Sequence, residues 1–311
     1  MILELSEACP VFEANAEVHL QRLLYAVAVQ GWHLIAVPSP DRLEVLLPPH
    51  LWRTYREFLR QSYKQVINSP MTIASHSDCS SCDPALLITF YTLPVLILVE
   101  DVHSDGEWVR FIAIKLRPRL ARRMTSRYPD IEFRHAGGIG QIPAELRRLS
   151  KQYRANRPAD RIPLRIAAIS DGDAKLPGVQ SADARAVVRA GAETGADVHV
   201  LRKRTIENYV PDEALLNYAA KHDSQRAAEY ITSLRGHARD HYPVKAGLTD
   251  AELSEVGSLY GNSPPAGLGM GEFMRDYLAN SAYSITEGHQ LKGRDASGEL
   301  DELLDLLERN L

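Results

Sequence analysis

Residues 165–173 read RIAAISDGD, an apolar run that ends in two aspartates separated by a glycine. Near-continuous apolar runs of this length are typical of parallel strands that are buried on both faces of a sheet. Comparable runs are VLILV (95–99), IEFRH (131–135) and DVHVL (197–201). Helix-length segments separate the four runs, so the pattern predicts a β-α-β-α-β-α-β unit with a parallel sheet.

The segments between these strands supply the crossover helices. IGQIPAELRRLSKQY (139–153) and ADARAVVRAGAETG (182–195) have helical length and periodicity. VRFIAIKL (109–116) fits a strand as well as a helix, and Pro118 ends either element. We therefore expect an α/β fold with helices flanking the sheet.

Three regions are expected along the chain. Residues 1–92 mix helical and strand patterns and predict an α+β accessory or dimerisation module. Residues 93–215 hold the strand pattern and form the expected core. Residues 216–311 are mainly helical and would complete the site; the closing segment GELDELLDLLERNL (298–311) predicts an amphipathic helix packed on the body.

Composition limits the classes of protein. The chain has 311 residues, 45% of them hydrophobic, which suits a globular core. The apolar run 85–99 is interrupted and shorter than the roughly 20 residues of a membrane helix, so no membrane association is expected. The N-terminus lacks the basic flank and apolar core of a signal peptide, and three cysteines argue against a disulfide framework. These features predict a cytoplasmic protein.

Cys79 and Cys82 form a C-x-x-C pair without an evident second ligand pair downstream. Both a zinc site and a loop that carries two thiols remain open.

Basic residues are clustered although the formal net charge is −4. One cluster spans residues 115–127 and a second spans residues 147–161. Solvated helix faces and contacts to phosphates both explain such clusters. The candidates for contacts to a nucleic-acid backbone are Arg122, Arg123, Arg147, Arg148 and Lys203.

Carboxylates follow three of the four predicted strands. Glu100 follows the first strand and Asp105 lies five residues further on, Asp171 and Asp173 follow the third strand, and Glu207 lies beyond the fourth. In a parallel α/β sheet the carboxyl ends of the strands meet at one edge, where ligands bind. Hard divalent cations such as Mg²⁺ and Mn²⁺ prefer oxygen ligands and offset the repulsion of clustered carboxylates. The sequence predicts a site for such a cation.

The spacing of these motifs resembles the TOPRIM fold. VEDVHSD (99–105), AGGIGQI (136–142), SDGD (170–173) and VLRKRTIENYV (200–210) are similar to the strand-end motifs of TOPRIM nucleases related to the overcoming-lysogenization-defect (OLD) family. HYPVKAGL (241–248) and LKGRDASGELDELL (291–304) look like that family's later lysine-containing segments. The family pattern has a glycine after the first glutamate, whereas this chain has Asp101 and reaches Asp105 one residue late.

The resemblance implies metal-dependent hydrolysis of DNA or RNA phosphodiester bonds. Glu100, Asp171 and Asp173 would be catalytic and bind Mg²⁺ or Mn²⁺, with Asp105 or Glu207 completing a second metal site. Lys245 would lie near the scissile phosphate, although an ordinary surface lysine remains the alternative. Stand-alone relatives are toxic effectors of bacterial anti-phage defence that act by abortive infection.

The partners follow from the same resemblance. OLD-type nucleases carry an ATPase in the same chain, whereas this chain has no G-x-x-x-x-G-K-[ST] motif. The resemblance therefore implies that a separate ATPase or sensor subunit would restrain the nuclease. A homodimer is a further possibility. The alternative to a nuclease is a catalytically inactive TOPRIM module that binds nucleic acid or a partner protein. A primase or topoisomerase component is a weaker third reading.

Overall fold

A computed structural model describes most of the chain beyond residue 92. The described residues are 2–5, 33–35, 49, 53, 56, 57, 74–76, 93–125, 129–156, 164–261, 264–269, 273–279 and 286–311. Cys79 and Cys82, most of the predicted N-terminal module, and Arg127, Arg157 and Arg161 of the basic clusters lie outside these ranges.

Two parallel sheets are present in the described ranges. The N-terminal sheet has the strand order β2-β1-β3, and the core sheet has the order β5-β4-β6-β7. The first sheet consists of β1 (Ile2–Leu5), β2 (His33–Ile35) and β3 (Ala74–His76). The core sheet consists of β4 (Val95–Val99), β5 (Ile131–His135), β6 (Ile166–Ser170) and β7 (Asp197–Val200).

The core sheet agrees with the sequence prediction. Each of its four strands lies within one residue of the predicted bounds, and all neighbouring pairs are parallel. Residues 109–116, which fit either element, are helical. Trp108, Val109 and Ile112 are almost completely buried and share one helix face, whereas Ile114 is 52% exposed. This is the period of a helix that packs one face on the sheet, because a strand buried on both sides would not expose Ile114.

Helices connect the strands of the core. After β4 a π-helical turn (Val102–Gly106) leads into α1, and a 3-10 turn (Ile139–Gln141) precedes α3. The helices of the crossovers are α1 (Glu107–Leu116), α2 (Pro118–Thr125), α3 (Ile142–Asn156) and α4 (Ala182–Thr194). Ser181 caps α4 by accepting a hydrogen bond from the amide of Ala184, and Gly195 ends it in the left-handed conformation.

The C-terminal third is helical, as the sequence predicts. Its elements are a 3-10 turn (Ile206–Tyr209), α5 (Asp212–Ala219), α6 (Gln225–Ser233), α7 (Gly236–His241), α8 (Asp250–Val256), a 3-10 turn (Gly257–Leu259), α9 (Phe273–Ala279), α10 (Gly288–Arg294) and α11 (Glu299–Asn310).

Both faces of the core sheet are covered. Along β4 the side chains of Val95, Ile97 and Val99 join a cluster with α1 and the C-terminal helices, while Leu98 joins α3 and α4 on the opposite face. Alternate residues of a strand point to opposite faces, so both faces of this strand must be apolar. No helix in the described part of the chain is long and apolar enough to cross a membrane.

The strand order places a switch point between β4 and β6. The chain leaves β4 toward β5 on one side and leaves β6 toward β7 on the other, although β4 and β6 are neighbours. The loops that follow these two strands therefore diverge at the carboxyl edge, which is where the general rule for open α/β sheets places a crevice. Ligands of open α/β sheets bind in crevices of this kind.

Candidate functional site

Carboxylates line the crevice at the switch point. Glu100 follows β4, and its Oε1 accepts a hydrogen bond from the backbone amide of Asp171, at the end of β6, at 3.3 Å. Its Oε2 accepts from the amide of Ile139 at 3.1 Å. Ile139 begins the 3-10 turn after the glycine-rich stretch 136–138. Glu100 thus links the end of its own strand to the segments that follow β5 and β6, each of which contributes one amide.

The glycine between the two aspartates of β6 is required by a close approach of the backbone. A Cβ atom on Gly172 would lie 2.3 Å from the carbonyl oxygen of Leu201 and 2.7 Å from that of Lys203. Any side chain at this position would push the loop after β6 away from the loop after β7. Asp173 has a φ of +45° and donates its amide to the carbonyl of Arg204 at 2.9 Å. The D-G-D sequence thus brings both carboxylates toward the fourth strand.

Asp105 reaches the same region through the π-helical turn. The amides of Asp105 and Gly106 both donate to the carbonyl of Asp101, at 2.9 and 3.3 Å. A π-helical turn accommodates one more residue than an α-helical turn. The extra residue that separates Glu100 from Asp105, relative to the family pattern, is absorbed in this turn. The Asp105 carboxylate accepts from the amide of Asp101 and the hydroxyl of Ser104, both at 2.9 Å.

Glu207 and Lys245 form an ion pair beside these carboxylates. Glu207 lies in the 3-10 turn after β7 and is completely buried. The Nζ atom of Lys245 lies 2.7 Å from its Oε1, and about a third of the lysine side chain is exposed. The structure therefore places Lys245 next to the acidic residues, with its ammonium paired to a buried carboxylate and part of its side chain exposed.

The backbone around Lys245 is tightly held. Its carbonyl accepts the amide of Gly269 at 3.0 Å, and the carbonyl of Val244 accepts that of Leu268 at 2.8 Å. A Cβ atom on Gly267 would lie 2.3 Å from the carbonyl oxygen of Lys245, so only glycine allows this packing. The backbone of Lys245 is consequently held in place, so a change in the position of its ammonium requires a change in the side-chain conformation.

Burial and mutual repulsion disfavour ionisation of the carboxylates. Burial and the charges of Asp105 and Asp173 raise the pKa of Glu100 from 4.5 to about 7. Burial, followed by the charges of Asp105 and Glu207, raises the pKa of Asp171 well above its ordinary value. The pKa values of Asp105 and Asp173 are also raised, in both cases chiefly by burial. These four residues, Glu100, Asp105, Asp171 and Asp173, are called the acidic cluster below.

Lys245 only partly compensates this charge. Burial lowers the pKa of its ammonium, but the attraction of Glu207, Asp171 and Asp105 outweighs burial and raises it. Arg204 acts on Asp173, whose pKa it lowers. Since carboxylates outnumber these two cations, the site carries a surplus of buried negative charge when all the acids are ionised. Such a surplus is costly unless cations offset it.

The donor set suits a hard divalent cation in its chemistry. Carboxylate oxygens are the ligands preferred by Mg²⁺ and Mn²⁺. The four carboxylates of the acidic cluster supply such oxygens at the switch point. Within the described ranges, however, no three aspartate, glutamate, histidine or cysteine side chains are already grouped closely enough to hold a metal ion. The side chains of the acidic cluster therefore suit a divalent cation in type and charge. In their present positions they do not surround a common point as metal ligands would.

The basic residues predicted to contact a nucleic-acid backbone differ in exposure and in their ion-pair partners. Arg147 pairs with Glu193 at 2.8 Å, Arg148 forms a two-point contact with Glu145, and Arg123 pairs with Asp130 at 2.6 Å. Arg122 is exposed on α2. Lys203 is buried, and its ammonium lies 2.8 Å from Oδ1 of Asp240. The three paired arginines would have to exchange a carboxylate for a phosphate, and Lys203 has an internal role in this structure.

Three residues near the site carried no separate signal in the sequence. The guanidinium of Arg204 binds Glu252, which closes a capping box at the start of α8 with Thr249. The side-chain amide of Asn208 donates to the carbonyls of Arg239 and Tyr242, at 3.0 and 2.9 Å. His241 contacts the carbonyl of Ala174 through Nδ1 at 2.9 Å. Asn208 lies within the IENY stretch, so that motif was the available signal; the pairing of Arg204 with Glu252 is not visible in sequence spacing.

Comparisons with known proteins give no assignment. No protein-family model matches the chain, and no curated protein and no solved structure matches it significantly.

Proposed function

We propose that this protein is a metal-dependent nuclease of the TOPRIM type, which hydrolyses phosphodiester bonds of DNA or RNA. The observation that carries the proposal is the surplus of buried carboxylates at the switch point, next to a partly exposed lysine. Carboxylates whose ionisation is disfavoured by burial and repulsion are typical of functional sites rather than of structural ones. Divalent cations would supply the positive charge that this arrangement lacks, and a phosphodiester anion would then be attracted to the bound cations.

The residues have distinct roles in the proposed reaction. Glu100, Asp171 and Asp173 would hold the cation, and Asp105 would complete a second position. Bound Mg²⁺ or Mn²⁺ lowers the pKa of an attacking water and stabilises the leaving oxygen. Lys245 would offset the negative charge that develops on the phosphoryl oxygens, because its ammonium lies beside the carboxylates that would hold the cation. The backbone amides of Asp171 and Ile139 hold the Glu100 carboxylate in place.

The contacts to nucleic acid would come from exposed basic residues around the crevice. Arg122 and the arginines of α3 are the candidates, with binding that tolerates different sequences and weakens as salt increases. We further propose that the protein acts in the bacterial cytoplasm as a toxic effector of anti-phage defence, under the control of a separate ATPase or sensor subunit. Constitutive activity of the purified protein, with no partner co-purified from its native operon, would refute the regulatory part.

The direct test is incubation of the purified protein with plasmid DNA and with total RNA in the presence of Mg²⁺ or Mn²⁺. Glu100→Gln and Asp171→Asn variants serve as matched controls, because both substitutions keep the side-chain shape and remove one charge. We expect cleavage by the wild type and a loss of about 10³-fold or more in either variant. Equal degradation by all three proteins, or none by any, would exclude the nuclease.

A second candidate function is an inactive module that binds nucleic acid or a partner protein. The absence of a closed group of three metal-binding side chains among the described residues favours it. This candidate predicts that the wild type retards labelled nucleic acid in a gel, or retains a partner, without cleaving the substrate in either metal.

A further inference from the structure

The IENY stretch (206–209) contacts both halves of the candidate site. The backbone amide of Ile206 donates to Oδ1 of Asp171 at 3.1 Å. The carboxylate of Glu207 pairs with Lys245, and the side chain of Asn208 holds two carbonyls of the segment 239–242. One short turn therefore sets the distance between the acidic cluster and the segment that delivers the lysine.

Glu207 differs from three other acids of the site in its partners. Glu100, Asp105 and Asp171 each accept at least one backbone amide. Both oxygens of Glu207 are buried and accept no hydrogen bond of good geometry from a described residue, while Lys245 lies 2.7 Å away. The lysine ammonium is therefore the group that offsets the charge of this carboxylate.

The exposure of the two partners is unequal. Glu207 is completely buried, whereas about a third of the Lys245 side chain is exposed. A buried carboxylate can orient the ammonium of a side chain that is itself partly exposed. If Glu207 were instead a ligand of the cation, the cation would compete with Lys245 for this carboxylate and displace the lysine.

We propose that Glu207 is the positioning residue of Lys245 and not a ligand of the bound cation. The turn that carries Glu207 is fixed on both sides, through Asn208 to the lysine segment and through Ile206 to Asp171. The catalytic lysine is thereby held at a set distance from the carboxylates that bind the cation. This inference rests on the proposed nuclease function for the role of Lys245, but the pairing itself can be tested without it.

The first experiment measures whether Glu207 engages Lys245 in the metal-free protein. The wild type and Glu207→Gln are treated with an amine-acetylating reagent at fixed pH, and the rate at Lys245 is followed by peptide mass spectrometry. We expect acetylation of Lys245 to be several-fold faster in Glu207→Gln, because the engaged ammonium is released. Lys175, which pairs with Glu255, is the internal reference and should react at an unchanged rate.

The matched control is Glu252→Gln, which removes another buried carboxylate from an ion pair without contacting Lys245. Its Lys245 should react as in the wild type. Equal rates at Lys245 in the wild type and Glu207→Gln would overturn the proposal. If Glu207→Gln does not fold, Glu207→Asp is used, which retains the charge but withdraws the carboxylate by one methylene and should also accelerate acetylation.

The second experiment distinguishes a positioning residue from a metal ligand. Binding of Mn²⁺ alone is measured by calorimetry for the wild type, Asp171→Asn and the double variant Glu207→Gln/Lys245→Gln. The double variant removes one negative and one positive charge, so the net charge of the site is unchanged. We expect Mn²⁺ affinity within about threefold of the wild type in the double variant and a loss of tenfold or more in Asp171→Asn. A tenfold loss in the double variant would make Glu207 a ligand and refute the proposal.

The third readout is cleavage at saturating Mg²⁺. Glu207→Gln and Lys245→Gln should lower kcat to a similar extent, about 10²–10³-fold, and the double variant should lose no more than Lys245→Gln alone. Multiplicative losses would contradict a shared role. If the wild type cleaves nothing, the proposed function fails, while the acetylation and Mn²⁺ experiments still decide whether Glu207 positions Lys245.

Discussion

Two groups of buried charged residues adjoin the IENY turn. They differ in how far hydrogen-bond donors and opposite charges compensate the buried carboxylates. The acidic cluster collects four carboxylates at the switch point, where they raise one another's pKa values. The second group surrounds Glu299 at the start of α11 and is called the terminal network here. Its carboxylate accepts from the amide of Arg202 at 2.6 Å, from the hydroxyl of Tyr209, and contacts Nε2 of His199 at 3.2 Å.

The difference indicates which group is structural. Glu299 is completely buried, but three polar partners compensate the loss of water. Burial and the neighbouring Glu299 raise the pKa of Tyr209, so its hydroxyl stays protonated and donates. In the acidic cluster, repulsion between carboxylates opposes the few amide hydrogen bonds. A folded chain gains stability from the first arrangement and loses it in the second, so the second is best explained by a ligand.

The largest effect is expected in the terminal network. Glu299→Ala leaves the Tyr209 hydroxyl and the Arg202 amide without their acceptor and should lower the free energy of unfolding by about 3–5 kcal/mol. Urea unfolding monitored by circular dichroism measures this change. Glu302→Ala is the control, because Glu302 pairs with Arg202 at an exposed position and should change the free energy of unfolding far less. Similar losses in both variants would contradict the assignment of a structural role to Glu299.

The acidic cluster should make the metal-free protein less stable as the pH rises. The pKa of Glu100 is raised from 4.5 to about 7, so between these values the folded protein keeps a proton that the unfolded chain has released. The free energy of unfolding therefore falls with increasing pH across this window, by about 1.4 kcal/mol for each unit by which the two pKa values differ. Urea unfolding in EDTA from pH 4 to 8 measures it.

Glu100→Gln is the control for this pH dependence, because it cannot ionise. Its free energy of unfolding should change less across the window than that of the wild type. A wild-type stability that rises with pH relative to the variant would show that ionised Glu100 is stabilised by the fold, which would remove the contrast between the two groups of charges.

Divalent cations should reverse the penalty in the acidic cluster. A ligand that binds only the folded state at about 100 times its Kd adds about 2.7 kcal/mol to the free energy of unfolding. Mg²⁺ or Mn²⁺ should therefore raise the Tm of the wild type in differential scanning fluorimetry, and EDTA should return it. Ca²⁺ serves as a test of selectivity. The Tm of Asp171→Asn should respond much less, and an equal response would place the cation elsewhere.

The smallest effect is expected from Asp171→Asn in EDTA at pH 8. Asparagine keeps the Oδ1 atom that accepts the amide of Ile206 but removes the repelling charge. The free energy of unfolding should increase slightly, because asparagine removes a charge that burial and the neighbouring carboxylates disfavour. Loss of stability in this variant would mean that the ionised Asp171 is structural, as Glu299 is, and the contrast between the two groups would not hold.

Much of the fold and the list of acids could be predicted from the sequence because the signals are local. The apolar runs of β4 and β6 are continuous over five residues, and a strand buried on both faces requires this pattern. The carboxylates directly follow these runs, so their common edge follows from parallel pairing. The sequence could not decide whether residues 109–116 form a strand or a helix, because a short apolar run has the same composition in a buried strand and in a helix.

Only the tertiary structure decided which carboxylates have a compensating hydrogen-bond donor or cation. The extra residue before Asp105 is absorbed by a π-helical turn, which depends on hydrogen bonds to Asp101 and not on the residue types in between. The pairing of Glu207 with Lys245 joins residues 38 positions apart and depends on Asn208 and on the packing of Gly267. The sequence determined which charges exist and at which edge they meet; long-range contacts determined which are compensated, because burial and pairing are properties of the folded chain.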